Sequence, residues 1–338
     1  MKILSIAIPT YNMEKYLPRC LDSLVSIKSI IPYLEIIIVN DGSKDNSLEV
    51  AQSYEKRYPE SIIIINKNNG NYGSCINAAL KIATGKYFKI LDSDDWYDSN
   101  SLEEFIKNLK TITVDMVFTK YQTINPDNKI VKHYTIDSSI PRSQILPIES
   151  NYIKLLQPQT DLAMHCIAYR TQLLKDINYS QLEGISYTDT EYVFYPIAYI
   201  KTVIFYDLTL YQYYVGRNGQ TVSISSRIQH SDDMLKIVNR MLNTSLSSES
   251  NNIYYLQCGY MTHAIATFYH IMLVLQPLTN LNRMKLVTLD NKIKKYSLHL
   301  YGELNAIKCV GIPYIQIWRK FHYAIIPYKL YRFFKEKK

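Results

Sequence analysis

From Ile3 to Leu91, short and almost continuously apolar runs alternate with stretches whose apolar positions recur every three or four residues. The runs Ile3–Ile8, Glu35–Val39, Ile62–Ile65 and Tyr87–Leu91 predict strands buried on both faces. Between them, Tyr16, Leu17, Leu21 and Leu24 give Glu14–Ser26 helical spacing, and Ser47–Arg57 and Ser74–Ala83 are expected to form the next two helices. This alternation predicts an α/β domain with a parallel sheet covered on both faces. Ligands in such sheets bind beyond the carboxyl ends of the strands. Here those ends run into polar loops: Pro9-Thr10-Tyr11-Asn12, Asn40-Asp41-Gly42-Ser43, Asn66 to Gly73, and Asp92-Ser93-Asp94-Asp95. Singly each loop reads as a turn or a helix cap, with Asp98, Ser99 or Asn100 capping the helix that follows the last. Converging on one edge, they predict a binding site.

The acidic loop is the least ordinary of the four, with three carboxylates within four residues. Like charges so close repel unless something neutralises them. A divalent cation shared with a diphosphate would do so, because hard cations prefer such oxygens. Neither GxGxxG nor GxxxxGK[ST] occurs, which excludes the dinucleotide and P-loop fingerprints.

Further along, a helix is expected over Leu102–Leu109 and a strand over Asp115–Tyr121, then a partly buried segment, Leu162–Arg170, enters a helix at Thr171–Leu174. After the Glu183-Gly184 turn, a helix begins at Thr188 or Asp189, either of which could be only its cap. A strand near Thr202–Tyr206 and the alternating tyrosines of Tyr211–Tyr214 lead to Arg217, a surface residue or a loop arginine able to meet an anion. Past residue 225 no catalytic motif remains, and His230–Leu242, Tyr254–Leu275 and Leu281–Ser297 read as helices.

Composition is that of a globular protein: 338 residues, 47% apolar and 20% charged. Five cysteines without a CxxC pair argue for reduced thiols rather than a disulfide framework or a zinc site. The N-terminus lacks a secretory pattern, and Tyr260–Leu278 is interrupted by His263, His270, Gln276 and Pro277, which predicts a buried helix rather than a span. The expected location is cytoplasmic. The net charge of +8 allows an anionic partner, and the basic, aromatic Ile312–Lys338 could lie on an anionic membrane or pack on the body.

Ile6-Ala7-Ile8-Pro9-Thr10-Tyr11-Asn12, Val39-Asn40-Asp41-Gly42-Ser43, Asn69-Gly70 through Asn77, Ala83-Thr84-Gly85-Lys86-Tyr87 and Leu91-Asp92-Ser93-Asp94-Asp95-Trp96, in this order, resemble the family 2 glycosyltransferases of the GT-A fold. The resemblance extends from Ile3 to about Thr221. It implies a Rossmann-like, mostly parallel sheet in a catalytic domain over 1–225, with a nucleotide-sugar half (1–100), an acceptor half (101–225) and a C-terminal helical region (226–338). It implies a nucleotide-sugar donor, most often a UDP-sugar, held by Pro9, Thr10, Tyr11, Asp41, Asn69, Gly70, Asn77, Asp92, Ser93 and Asp94. Asp92-Ser93-Asp94 matches the DxD motif, with Asp94 and Asp92 expected on Mn2+ or Mg2+. Asp189 matches the catalytic base, which would be ionised at neutral pH; Glu191 is the fallback. His165, Arg170 and Arg217 fall where relatives contact acceptor or diphosphate, although His165 and Arg170 read equally as structural. Two departures matter: Ile76 stands where many relatives carry Arg, and Thr188 replaces the first acid of an acidic pair. The expected activity is inverting, metal-dependent transfer to a glycan or lipid-linked acceptor in cell-surface polysaccharide synthesis, with peripheral contact at the inner membrane face and no nucleic-acid partner. The alternatives are a non-catalytic nucleotide-sugar-binding scaffold and a nucleotidyltransferase.

Overall fold

The computed structural model describes residues 1–158, 160–217, 220, 223–246 and 251–321. The chain divides into two compact units, Met1–Asn218 with Glu249–Ile253, and Gly219–Ser248 with Tyr254–Lys338.

The first unit is built on one sheet. Strands β1 (Leu4–Thr10), β2 (Leu34–Asp41), β3 (Ile62–Lys67) and β4 (Tyr87–Ile90) are linked by helices α1 (Leu17–Val25), α2 (Ser47–Arg57) and α3 (Asn71–Ile82). They pair in parallel in the order β3-β2-β1-β4. Ile6, Ile8, Ile36 to Val39 and Ile90 are fully buried, as continuous apolar runs covered on both faces require. The strand ends are tied at the amino edge by buried Glu35, which accepts from Ser5 Oγ, from Thr84 N at 2.7 Å and from Thr84 Oγ1 at 2.6 Å. Gly85 is required there, because a Cβ would lie 2.6 Å from Ser5 N. The Ala83–Tyr87 motif therefore closes the sheet at the end opposite the polar loops.

After β5 (Trp96–Tyr97) and α4 (Ser99–Thr111), Asp98 caps α4 by accepting from Ser101 N at 2.8 Å. The remaining strands are β6 (Met116–Ile124), β7 (Ile130–Tyr134), β8 (Ile145–Pro147), β9 (Ile167–Arg170) and β10 (Thr202–Tyr214). Here the sheet stops being parallel: β9 inserts antiparallel between β4 and β6, and β10 pairs parallel with β6 and antiparallel with β5 and β8. Helices α5 (Thr171–Asp176) and α6 (Asp189–Ile197) complete this unit. The segment Leu162–Arg170 supplies a short 3-10 turn and β9 and leads directly into α5, where a helix was expected.

The second unit is helical: α7 (Ile224–Gln229), α8 (Ser231–Met241), α9 (Asn251–His270, which starts in the first unit), α10 (Asn280–Tyr296), α11 (Leu298–Ala306) and α12 (Tyr314–Lys320). α9 with its one-turn π continuation to Leu275 is long and apolar enough to cross a membrane, yet 72% of its apolar window is buried. The core is organised around Asp290, 1% exposed, whose Oδ1 accepts from Arg319 Nη2 at 2.6 Å and Tyr269 Oη at 2.6 Å. Trp318 is fully buried against Tyr269. Of the two alternatives for this segment, Trp318 and Arg319 follow the packed one: Trp318 is a core residue, and Arg319 is the buried counter-ion that Asp290 needs. Of the basic tail, Lys329, Arg332, Lys335, Lys337 and Lys338 lie outside the described residues.

Candidate active site

Thr10, Asn40 and Asn66 sit level in the register of β1, β2 and β3, so the following loops open on one edge. Asp41 is 3% exposed there. Its Oδ1 accepts from Lys67 Nζ at 2.6 Å and from Gly70 N at 2.9 Å, while its carbonyl accepts from Asn69 Nδ2 at 2.9 Å. These contacts hold the carboxylate rigidly at the strand end, where Cys75 also lies against it. Tyr11 is 45% exposed beside it, with its ring face available for stacking. Thr10 is buried and its hydroxyl turns back to Ile8 O at 3.2 Å.

Asp92, Ser93, Asp94 and Asp95 follow β4, and each carboxylate has a different environment. Asp95 is consumed by the protein: Tyr211 Oη donates to it at 2.6 Å and Tyr214 N at 2.7 Å. Asp92 keeps some exposure and accepts from Tyr72 Oη at 2.8 Å, while its N–H donates to Tyr211 Oη at 3.2 Å. Burial, and next the Asp94 charge, push its carboxyl well above the ordinary range. Asp94 pairs with Arg217, whose Nε lies 2.5 Å from Oδ2, and the Asp94 carbonyl accepts from Arg19 Nη2 at 2.9 Å. Arg19 itself is held flat over Trp96, 3.8 Å from the ring centre, and over Tyr214 at 4.4 Å.

Asp189 is the first residue of α6. Its charge raises Asp92, Tyr72 and Tyr213, which sets it facing the acidic loop. Burial lifts its own carboxyl above the ordinary range, against the pull of the first-turn N–H groups of Thr190 and Asp189. The helix N-terminus, which favours the ionised form, is thus outweighed by burial. Tyr187, two residues before Asp189, has φ 66°, a conformation costly for a bulky side chain and found at functional sites. Glu191, the fallback base, is fully buried and accepts from Leu182 N at 2.7 Å, so it anchors the approach to α6 rather than facing the opening.

Three other expected residues separate. Asn77 donates to Gln181 O and to Glu183 Oε1, both at 2.9 Å, and accepts from Gln181 N at 2.8 Å, so its amide braces the loop before Asp189 instead of turning to a ligand. That loop closes tightly on α3, since a Cβ at Gly73 would lie 2.0 Å from Leu182 O. His165 joins the site through its ring, stacked on Tyr211 at 4.5 Å and tilted against Tyr213 at 4.7 Å. Burial and the Lys89 charge pull it down to about 3, so it is neutral at physiological pH. Arg170 lies elsewhere: it is opposite Tyr87 at the amino end of β4 and grips Asp115 through Nε at 3.2 Å and Nη2 at 2.9 Å. Its assignment to acceptor or diphosphate is corrected, because the antiparallel course of β9 carries it to the far end of the sheet. Sequence reasoning passed over Tyr72, Tyr211, Tyr213, Arg19 and Lys67. The tyrosine alternation at 211–214 was the only signal for any of them.

The donor set fits a divalent ion of limited protein ligation. Among the described residues no group of three or more His, Cys, Asp or Glu side chains is arranged around one point. The Asp94 charge raises Asp92, a repulsion that a cation would relieve, with the remaining ligands left to phosphate oxygens.

The family described as Glycosyl transferase family 2 matches residues 5–177, about half of the chain. Poly(ribitol-phosphate) beta-glucosyltransferase of Bacillus spizizenii is 32% identical over 229 residues, 67% of this chain and 34% of that protein. Chondroitin synthase of Pasteurella multocida is 38% identical over 130 residues, 38% of this chain and only 13% of the relative. The chain thus spans a minor part of the length of these relatives. The crystal structure of S. aureus TarS 1-349 in complex with UDP-GlcNAc superposes with a TM-score of 0.62 at 20% identity, covering 89% of this chain and 83% of that one. The fold is therefore GT-A, with additional C-terminal helices, and the chain belongs to glycosyl transferase family 2.

Proposed function

We propose that this chain transfers a sugar from a UDP-sugar to a glycan or lipid-linked acceptor, with inversion, in cell-surface polysaccharide synthesis. The observation that carries the reading is the juxtaposition, on one sheet edge, of the Asp41 carboxylate, the Asp92–Asp94 pair and Asp189 across from them. Asp41 accepts the pyrimidine N–H, and Tyr11 stacks on the base. Asp94 and Asp92 hold Mn2+ or Mg2+, which would offset charge on the departing diphosphate as a Lewis acid. Asp189 takes the proton of the attacking acceptor hydroxyl; its raised carboxyl makes it the stronger base once ionised. His165, with Tyr121 and Tyr213 around it, forms an uncharged aromatic surface suited to a sugar ring. The location that follows is the cytoplasmic side, where nucleotide-sugars are available, with any membrane contact peripheral.

TarS in complex with UDP-GlcNAc and with UDP, and a Pyrobaculum calidifontis mannosyltransferase in complex with GDP-Man and Mn2+, lend support by fold. The test is a panel of nucleotide-sugars with Mn2+, scored for nucleotide release. UDP release that rises with acceptor supports the reading. Donor binding without turnover would favour a scaffold, and pyrophosphate release a nucleotidyltransferase.

A further inference from the structure

Arg217 is the basic side chain that reaches the metal-site carboxylate. Strand β10 ends by donating Tyr214 N to Asp95 and Val215 N to Ile124 O at 2.9 Å. Gly216 then turns at φ 97°, where a Cβ would press on Pro126 Cδ at 3.3 Å. That turn sends Arg217 back beneath the acidic loop, with Nε 2.5 Å from Asp94 Oδ2 and the guanidinium 5.5 Å from the Tyr16 ring. Both partners are largely buried, with side chains 14% and 10% exposed. A divalent ion held by Asp94 would lie against that guanidinium, and two cations so close repel. A guanidinium fork also matches a diphosphate at least as well as a carboxylate. Ile76, at the position where many relatives carry Arg, is fully buried and apolar, so that position supplies no charge to the donor.

We infer that Arg217 is the resident counter-ion of Asp94: it competes with the divalent cation in the donor-free protein and transfers to the donor's diphosphate when metal and nucleotide bind together. This rests on the proposed donor and metal site. It makes metal and nucleotide cooperative by construction, because each removes the obstacle to the other, and such coupling is reciprocal.

The experiment is calorimetry of the full chain with Mn2+ alone, UDP alone and UDP at saturating Mn2+, on wild type, Arg217→Gln and Arg217→Lys. Wild type should bind UDP more tightly with Mn2+ by a factor within the roughly 5–150-fold span usual for coupled sites. Arg217→Gln should bind Mn2+ alone more tightly than wild type, bind UDP·Mn2+ more weakly, and lose most of the coupling. Arg217→Lys, which keeps a charge without the fork, should still oppose Mn2+ but recover only part of the UDP affinity. A merely structural arginine would lower both affinities together, which overturns the inference, as does unchanged Mn2+ affinity in Arg217→Gln. A wild-type chain that binds neither Mn2+ nor UDP refutes the donor-site reading itself, and the inference with it.

Discussion

Glu191 and Asp189 stand two residues apart in α6, and substituting each by its amide separates an anchor from a base. Glu191 is fully buried and receives the Leu182 N–H at 2.7 Å. In Glu191→Gln the amide oxygen can still accept, but a hydrogen bond to a charged group, about 1.5–3 kcal/mol, becomes a neutral one of about 0.5–1.5 kcal/mol. The expected loss is about 1–1.5 kcal/mol, or a melting point lower by roughly 2–6 °C for a unit of this size. Asp189→Asn should behave oppositely. A carboxyl whose folded pKa is raised destabilises the folded state when ionised. That penalty is absent at pH below the unfolded value, grows as pH rises through the raised folded value, and is constant above it. At pH 7.5 Asp189→Asn should therefore melt no lower than wild type. Thermal unfolding followed by circular dichroism at pH 7.5, with donor turnover measured well below either melting point, reads both effects. The reasoning is refuted if Glu191→Gln melts like wild type while losing turnover, or if Asp189→Asn is the less stable of the two.

Asp94→Ala should abolish the metal-dependent part of UDP affinity and, because it leaves the largely buried Arg217 without its partner, also lower the melting point of a chain that still folds; an undiminished Mn2+-dependent signal in calorimetry contradicts the metal assignment. Trp318→Ala should destabilise the second unit by about 3–5 kcal/mol, the usual loss for a buried aromatic, and leave liposome binding unchanged. Because Trp318 and Arg319 hold that unit together, the membrane question is tested by truncation after Phe321; if the tail binds anionic liposomes, that variant floats with them less, and salt weakens the wild-type interaction by screening within about 8 Å.

The parallel half of the fold was legible because its information is local. Ser47–Arg57 is helical as its spacing requires, and α3 starts at Asn71, three residues before the expected Ser74. In the antiparallel half α4, β6, α5, α6 and β10 were legible as elements, but their pairing was not. The four residues of β9 lie between β4 and β6, a pairing set by long-range packing that no short apolar run encodes. That pairing also decides Arg170, whose partner Asp115 is remote in sequence. The acidic loop announced a site but not its division of labour. Asp95 looks like its neighbours until Tyr211 and Tyr214 claim it, and Asp94 looks free until Arg217 arrives from the end of β10. Glu191 shows the same limit, because only the packing of Leu182 against the first turn of α3 turns a helix-face carboxylate into an anchor.

The central claim, that Asp189 is the base of a transfer run on this edge of the sheet, is tested most directly by steady-state kinetics of Asp189→Asn with saturating acceptor and Mn2+. Loss of a general base should lower kcat by about 10²-fold or more, leave the UDP dissociation constant near that of wild type, and remove the fall in wild-type rate as pH drops toward the raised carboxyl. Turnover by Asp189→Asn within a few-fold of wild type, with the same pH profile, would contradict the assignment.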